Sequence, residues 1–178
     1  MISAQHYLQR FDIAEYQLCL RCNRVAAWTW PRRMFQFASW LGDGVVWALL
    51  AVMLLLIHAG AAVRPVMAMA TTAAAGIMIY KWLKRRLVRE RPFIRHNGIQ
   101  LAMRPLDRYS FPSGHTMHAV SFSWQIAVQF PEFRWLVIPL AIQIALSRVV
   151  LGLHYPTDVF AGAVLGAALS LTGLALAP

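Results

Sequence analysis

Three short polar segments interrupt an otherwise apolar chain, at residues 84–92, 112–115 and 147–158. The first is rich in lysine and arginine, which stabilise the negative charge of a phosphate group. The second ends in a histidine, whose ring can donate and accept a proton near neutral pH. The third combines an arginine with a histidine and an aspartate four residues apart. These residue types together predict a site for phosphoryl transfer, with cations, a proton donor and a nucleophile beside an orienting carboxylate.

The apolar stretches around the polar segments are long enough to cross a bilayer. Apolar residues make up 59% of the chain and charged residues 13%, a composition typical of integral membrane proteins. About 20 apolar residues in a helix span the hydrocarbon core. Five stretches approach this length, at 45–63, 64–83, 115–130, 135–153 and 159–176. We therefore expect an all-α fold, a polytopic membrane helical bundle with about five transmembrane helices.

Alternation of these spans places the polar segments on one side of the membrane. Lys84 lies at the end of the second predicted span, and His115 begins the third. Arg148 lies near the end of the fourth span, and His154 and Asp158 lead into the fifth. Since successive spans run in opposite directions, the three segments are expected to share one membrane face and to form a single site.

The first 43 residues mix apolar and charged side chains and do not resemble a span. Trp28 and Trp30 lie close to several arginines, which favours an amphipathic helix in the headgroup region. Residues 35–41 are too short to span and are expected to dip into the bilayer before the turn at 42–44. Trp47, near the start of the first span, is expected to be an interfacial anchor.

The length of the chain indicates one domain. We expect a single membrane-embedded phosphatase domain over 1–178, with an interfacial or re-entrant segment at 1–43 and the helical core and catalytic motifs at 44–178. Within the last span, Gly162 and Gly166 are spaced as in a GxxxG motif. They either let a neighbouring helix approach closely or are two small residues in an alanine-rich helix.

The charge of the chain is strongly basic, with 17 Lys and Arg against 7 Asp and Glu. In a soluble protein this excess would suggest nucleic acid, but the high apolar content argues against a nucleic-acid partner. The excess of basic residues is better explained by contact with the bilayer and by a lipid phosphate substrate. Cys19 and Cys22 have no second ligand pair at metal-site spacing and are interpreted as incidental thiols. The sequence leaves the oligomeric state open.

The three polar segments resemble, in order and at every named position, the three signature motifs of the type 2 phosphatidic acid phosphatase superfamily. The resemblance extends over residues 84–158, under half of the chain. The matching residues are Lys84-x6-Arg91-Pro92, Pro112-Ser113-Gly114-His115, and Ser147-Arg148-x5-His154-x3-Asp158.

The resemblance implies that His154 is the nucleophile and forms a phosphohistidine. Asp158 could hold the other ring nitrogen of His154 if the stretch between them is helical. His115 would protonate the leaving oxygen and then activate water. The phosphate oxygens would be bound by the side chains of Lys84, Arg91, Ser113 and Arg148 and by the N–H of Gly114 at the start of a helix.

The resemblance also implies an enzyme that needs no metal and no other cofactor. The acidic residues within 84–158 are too few and too scattered for a two-metal site; they are Glu90, Asp107, Glu132 and Asp158. Arg85, Arg86 and Arg89 could bind substrate anions but are expected to sit among lipid phosphates. Asp43 is expected to be a cap or turn residue.

The sequence gives conflicting indications of the side on which the site lies. Of the 17 Lys and Arg, the polar face holds all but Arg64 and Arg134, and the positive-inside rule would place that face in the cytoplasm. Several of these cations are candidate site residues, however, so the count is biased. The resemblance implies a periplasmic or lumenal site. We therefore expect a multi-pass protein of the bacterial cytoplasmic (inner) membrane with a periplasmic active site.

The expected substrate is a lipid whose phosphate reaches the cations while its tail stays in the bilayer. Undecaprenyl (polyprenyl) diphosphate is favoured, and phosphatidylglycerophosphate and phosphatidic acid are the alternatives. A lipid-binding or transport protein of the same fold is the non-enzymatic alternative. Such a protein would be expected to have lost its nucleophile or acid, whereas His154 and His115 are both present.

Overall fold

The computed structural model describes residues 4–176 and confirms the all-α fold, with eight α-helices and no strand in that range. Two short 3-10 turns, Arg24–Ala27 and Pro131–Phe133, follow the first and sixth of these helices. The helices are α1 (Ala4–Asn23), α2 (Thr29–Leu41), α3 (Val45–His58), α4 (Gly60–Leu87), α5 (Pro92–Arg95), α6 (Gly114–Gln129), α7 (Arg134–Val150) and α8 (Pro156–Leu176).

Three elements are long and apolar enough to cross a membrane: α4, α7 together with the 3-10 turn before it, and α8. Helices α2 and α3 pass the same test only as a pair, which is bent by 56° as in a broken span or a re-entrant loop. Helix α6 has 16 residues and rises about 24 Å, short of a hydrocarbon core of about 30 Å. The described residues therefore contain three or four candidate spans, and the predicted count of five is not confirmed.

Helix α6 lies at the centre of the bundle and packs against α4, α7 and α8. Its buried apolar side chains include Met117, Phe122 and Ile126. The fully buried Gln125 donates a hydrogen bond to the Thr72 hydroxyl of α4 at 3.0 Å. Because other helices surround α6, its first turn is held at a fixed position, and this turn carries the second polar segment.

The approach of α8 to α6 depends on two glycines. A Cβ atom at Gly162 would lie 2.5 Å from the carbonyl oxygen of Ser113, closer than real Cβ contacts allow. A Cβ at Gly166 would collide with the carbonyl of Met117 one turn further along. Of the two interpretations of the GxxxG spacing, the structure therefore supports close helix approach.

The turn between α2 and α3 brings the start of α3 into the interior of the bundle. Trp47, expected to be an interfacial anchor, is instead 3% exposed and packs edge-on against Phe122 at 5.5 Å between ring centroids. That expectation is wrong, because the bend after α2 turns the first turn of α3 towards α6.

Helix α1 buries two polar side chains and exposes several apolar ones. Glu15 and Asn23 are buried, whereas Phe11 and Ile13 are more than half exposed. A helix facing water would show the opposite pattern. The exposed apolar side chains support the interfacial location expected for residues 1–43, which stays a prediction.

The long connection between α4 and α6 is held over one end of the bundle. Helix α4 ends at Val88, which has a left-handed backbone with φ of 38°. The side-chain amide of Asn23, on α1, donates to the carbonyl oxygens of Gln100 and Val150 at 3.0 Å each. Asn23 thereby ties the connection to α1 and α7, next to the polar segments.

Candidate active site

Six of the eight predicted site residues line one cavity of about 600 Å³ at this end of the bundle. They are Lys84, Arg91, Gly114, His115, Arg148 and His154. They come from the end of α4, the connection after it, the first turn of α6, the end of α7 and the turn before α8. The remaining two, Ser113 and Asp158, are fully buried behind the cavity wall.

Two of the cations are almost completely buried. The guanidinium of Arg91 donates to the carbonyl oxygen of Leu153 at 2.7 Å and contacts the His154 ring. Arg148 donates to the hydroxyl of Ser39, on α2. The Nε atom of Arg148 has no hydrogen-bond partner among residues 4–176, although it is buried. A buried donor without a partner is costly, so this atom is suited to an incoming anion.

Asp107 occupies the position between two of the predicted phosphate-binding cations. Its carboxylate oxygens accept hydrogen bonds from Lys84 Nζ at 2.8 and 2.6 Å and from Arg91 Nη2 at 2.8 Å. Although partial burial opposes this, the hydrogen bonds and charges of Lys84 and Arg91 hold the pKa of Asp107 below its ordinary value. In the sequence Asp107 is one of a few scattered acidic residues, and nothing there indicates this role.

The ring of His154 is 2% exposed, and its contacts indicate which nitrogen carries the proton. Its Nε2 lies 3.2 Å from Arg91 Nη1, and a guanidinium can only donate, so Nε2 accepts and the proton of the neutral ring is on Nδ1. Burial lowers the pKa of His154 well below its ordinary value, and the charges of Arg91, Arg148 and Lys84 add to this effect. His154 is therefore a neutral imidazole whose unprotonated nitrogen faces the cations.

The contact expected between His154 and Asp158 is longer than a hydrogen bond. His154 Nδ1 lies 3.6 Å from Asp158 Oδ2, and Nδ1 has no hydrogen-bond partner among the described residues. The helical condition set by the sequence analysis is not met, because α8 begins only at Pro156. The backbone N–H of Tyr155 donates to Asp158 Oδ2 at 2.9 Å and holds the carboxylate beside the ring.

His115 has a partner that the sequence did not indicate. Its Nε2 lies 2.5 Å from Asp43 Oδ1, and since a carboxylate only accepts, His115 donates. Asp43 lies in the turn between α2 and α3, as expected, but its side chain also lines the cavity. The two residues are 72 positions apart, and no periodic pattern in the sequence links them.

Ser113 acts as the N-cap of α6 and does not line the cavity. Its Oγ accepts a hydrogen bond from the Thr116 N–H at 3.4 Å and lies 2.9 Å from the Thr116 hydroxyl. Satisfying the free N–H groups of the first turn takes the hydroxyl away from the phosphate position expected for it. Gly114, the next residue, does line the cavity.

The position of Arg89 also differs from the one expected from the sequence. It was expected to sit among lipid phosphates, but its guanidinium is 2.6 Å from both Asp158 Oδ1 and Glu15 Oε2. Those carboxylates raise the pKa of Arg89 although burial opposes the charge. Arg89 is therefore a partly buried contact of Asp158 and does not line the cavity.

The donor set of the site does not resemble a metal centre. Among residues 4–176 there is no group of three or more His, Cys, Asp or Glu side chains that could hold a metal ion. Each carboxylate near the cavity is paired with a cation or a histidine. Independence from metal stays a prediction.

Known proteins share sequence similarity with the region of the chain that contains the polar segments. The sequence profile of the PAP2 superfamily matches residues 65–177, more than half of the chain. The lipid A 1-phosphatase of Rhizobium etli is 35% identical over 105 residues, which are 57% of this chain and 45% of that protein. The undecaprenyl-diphosphatase of Sulfolobus acidocaldarius is 37% identical over 71 residues, which are 39% of this chain and 34% of that protein. The matched segments thus span less than half the length of these relatives.

The fold has a counterpart among solved structures. The first transmembrane PAP2-type phosphatidylglycerolphosphate phosphatase from Bacillus subtilis superimposes with a TM-score of 0.71. The match covers 93% of this chain and 85% of that protein at 22% sequence identity. At that identity the similarity concerns the fold alone, and it confirms a polytopic membrane bundle.

Proposed function

The chain belongs to the PAP2 superfamily, and we propose that it is an integral membrane lipid phosphatase that works through a phosphohistidine at His154. One arrangement carries the proposal: the unprotonated Nε2 of a buried, neutral His154 lies 3.2 Å from Arg91, in a cavity that also holds Lys84 and Arg148. A neutral imidazole is a nucleophile, and the cations beside it stabilise the charge of a phosphoryl group in transfer.

The proposed reaction begins when a substrate phosphate replaces Asp107 at Lys84 and Arg91. Arg91 then donates to phosphate oxygens, so the lone pair of His154 Nε2 is released to attack phosphorus. The Nε2–P bond forms as the bond from phosphorus to the leaving oxygen breaks, and His115 gives a proton to that oxygen. Water then attacks phosphorus and passes a proton to His115, and inorganic phosphate leaves as the Nε2–P bond breaks.

The shape of the cavity supports a substrate with an apolar tail. Its wall continues from the cations to Trp47, Ala73, Ile77 and Phe122, which lie on α3, α4 and α6. The ring centroid of Tyr80 lies 5.5 Å from Lys84 Nζ, so apolar surface begins directly beside the cations. A lipid can therefore place its phosphate on the cations while its tail follows the apolar wall into the bilayer.

Among lipid phosphates we favour a polyprenyl diphosphate such as undecaprenyl diphosphate. Its tail begins at the phosphate without an intervening sugar or glycerol, which suits a cavity whose apolar wall begins at the cations. The relative from Sulfolobus acidocaldarius gives further support. A lipid A 1-phosphate is the second candidate, since the 105-residue match to the Rhizobium etli protein favours it. Phosphatidylglycerophosphate and phosphatidic acid complete the set to be tested.

The test is phosphate release by the full chain in detergent from these four lipids. We expect the wild type to be active on at least one of them. His154→Ala and His115→Ala should lose about a thousandfold or more in kcat, as for the loss of nucleophile or proton-transfer groups elsewhere. His58→Gln, at the end of α3 and outside the cavity lining, is the matched control and should retain activity.

Two results would contradict the proposal. Full activity of both cavity variants would exclude the phosphohistidine mechanism. A wild type that binds these lipids but releases phosphate from none of them would favour the lipid-binding or transport alternative.

A further inference from the structure

A chain of charged side chains, in which the two carboxylates are buried and the arginine is 24% exposed, connects α1 to the carboxylate behind His154. Glu15 Oε2, on α1, accepts from Arg89 Nη2 at 2.6 Å, and Arg89 Nη1 donates to Asp158 Oδ1 at 2.6 Å. Glu15 also accepts from the backbone N–H of Thr157 at 3.0 Å and from its hydroxyl. The guanidinium lies 4.0 Å from the centroid of the Tyr155 ring. Both carboxylates of this chain therefore pair with the same guanidinium.

Asp158 depends on Arg89 for its charge. Its side chain is fully buried, and a buried carboxylate without a cationic partner is costly. Arg89 is the cation within hydrogen-bond distance of it, while the Tyr155 N–H holds the other oxygen at 2.9 Å. That second oxygen is the one 3.6 Å from His154 Nδ1. Arg89 thus fixes the rotation of the carboxylate that faces the ring.

Glu15 in turn fixes Arg89. Its side chain is 5% exposed, and its two oxygens divide between Arg89 and Thr157, the residue next to Asp158. Neither Glu15 nor Arg89 lines the catalytic cavity, so neither is placed to bind the substrate phosphate. Glu15 also lies outside residues 65–177, the part that matches the PAP2 superfamily.

We propose that Glu15 and Arg89 are positioning residues for phosphoryl transfer, which hold Asp158 against the Nδ1–H side of His154 and so aim Nε2 at the phosphate. The inference rests on the proposed phosphohistidine mechanism. Helix α1 then contributes to the active site, although Glu15 is 142 residues away in sequence from Thr157, which it contacts next to Asp158.

The proposal predicts changes in turnover with little change in substrate affinity. Without Arg89, the Asp158 carboxylate takes up a proton at higher pH, because a buried carboxylate favours its neutral form when its cation is removed. Without the charge of Glu15, Arg89 is held less well but still pairs with Asp158. The other titratable groups that act on Asp158 are Cys19, Arg91, His154 and Tyr155.

The experiment measures kcat, KM and the pH profile of phosphate release by the full chain in detergent. The substrate is undecaprenyl diphosphate, or the lipid of the four that the wild type hydrolyses fastest. The variants are Glu15→Gln, Arg89→Gln, Arg89→Lys and the double Glu15→Gln/Arg89→Gln. Asp12→Asn is the control for Glu15, since Asp12 is 58% exposed on the same helix, and Arg86→Gln is the control for the exposed arginines beside Arg89.

We expect Arg89→Gln and Glu15→Gln to lower kcat by about 10- to 100-fold, the range seen for outer-shell partners of functional histidines, with KM near the wild-type value. The acid limb of the kcat profile should move to higher pH in Arg89→Gln and return towards wild type in Arg89→Lys. Glu15→Gln should not move it. The double variant should resemble Arg89→Gln, because both changes act through one chain of contacts. The two controls should match the wild type.

Wild-type kcat and acid limb in both Gln variants would overturn the proposal, as would a loss confined to KM. If Arg89→Gln does not fold by its melting curve, Glu15→Gln still tests the predicted loss of kcat. The parallel His154→Ala measurement separates the two hypotheses. Activity in His154→Ala refutes the mechanism itself, whereas an inactive His154→Ala beside unaffected Glu15 and Arg89 variants refutes only the positioning role.

Discussion

Asp107 is a single side chain outside the predicted set that pairs with two of the predicted phosphate-binding cations. Its carboxylate binds Lys84 and Arg91, the same two cations that are proposed to bind a substrate phosphate. It therefore holds both side chains in place before substrate arrives and also competes with the substrate for them. Its side chain is 39% exposed, so it can move out of the site without unfolding the connection that carries it.

This position of Asp107 leads to a prediction about product inhibition. In Asp107→Asn we expect the Ki of inorganic phosphate to fall by roughly two- to fivefold, since removing a partly exposed competing charge is worth about 1 kcal/mol or less. Inhibition of phosphate release by added phosphate gives the Ki. Glu90→Gln removes an exposed carboxylate of the same connection outside the cavity and should leave the Ki unchanged. A higher Ki in Asp107→Asn would mean that the carboxylate organises the cations more than it competes.

Asp43, Arg89 and Asp107 mark the limit of what the sequence could predict at the scale of residues. The motif residues are recognisable because their types and spacing are local and lie at the ends of apolar stretches. The partners of these residues are not local: Asp43 is 72 positions from His115, and Glu15 is 74 from Arg89. Such pairs depend on how helices and connections pack, and an irregular connection has no periodicity from which its position could be predicted.

At the scale of elements, the helix positions were predictable, and the number of spans was not. Each of the five predicted stretches overlaps mainly with one helix of the structure, because apolar runs bounded by polar segments locate helices well. Helix α6 is also buried by its neighbours, and composition alone does not separate a buried helix from a spanning one. The pair α2 and α3 is apolar as a unit but is bent by 56° at its glycine-containing turn.

The contact between α6 and α8 gives a prediction at this scale. Gly162→Ala should lower the melting temperature and kcat together, because the new methyl group would collide with the Ser113 carbonyl, next to the site residues Gly114 and His115. Overpacking of this kind typically costs about 1–3 kcal/mol. Thermal unfolding in detergent and phosphate release measure the two effects. Gly60→Ala, where nothing lies within 4 Å of the added carbon, is the control and should behave as wild type. Equal melting curves for both variants would show that α8 can move away from α6 at no cost.

At the scale of the molecule, the two ends of the bundle differ in chemistry. The site end gathers the cavity cations and the basic connection after α4. The other end holds a contact of 3.2 Å between His58 and Glu132, close in sequence to Arg64 and Arg134. Ser39 of α2 and Glu15 of α1 both reach the site end. These contacts support the proposal that residues 1–178 function as one domain, in which 1–43 completes the site formed by 44–178.

The excess of cations at the site end does not by itself decide which side of the membrane that end faces. The positive-inside rule applies to lysines and arginines in loops that have no other role. Lys84, Arg91 and Arg148 instead face the cavity. Arg89 is paired with Asp158. Removing these four from the count weakens the indication of a cytoplasmic site. A lipid phosphatase acting on lipids exposed outside the cell would carry the same charges at its periplasmic face, and we propose that orientation.

A fusion after Pro178 tests the orientation directly. Helix α8 runs from Pro156, beside the site, to Leu176 at the opposite end, so the C-terminus and the site should lie on opposite sides of the membrane. With a periplasmic site we expect a fused fluorescent protein that matures only in the cytoplasm to be bright and a fused alkaline phosphatase to be inactive. A second fusion in the connection after α4, at Asn97, should give the reverse pattern. An active alkaline phosphatase after Pro178 would place the site in the cytoplasm, and it would restrict the substrates to lipids of the inner leaflet.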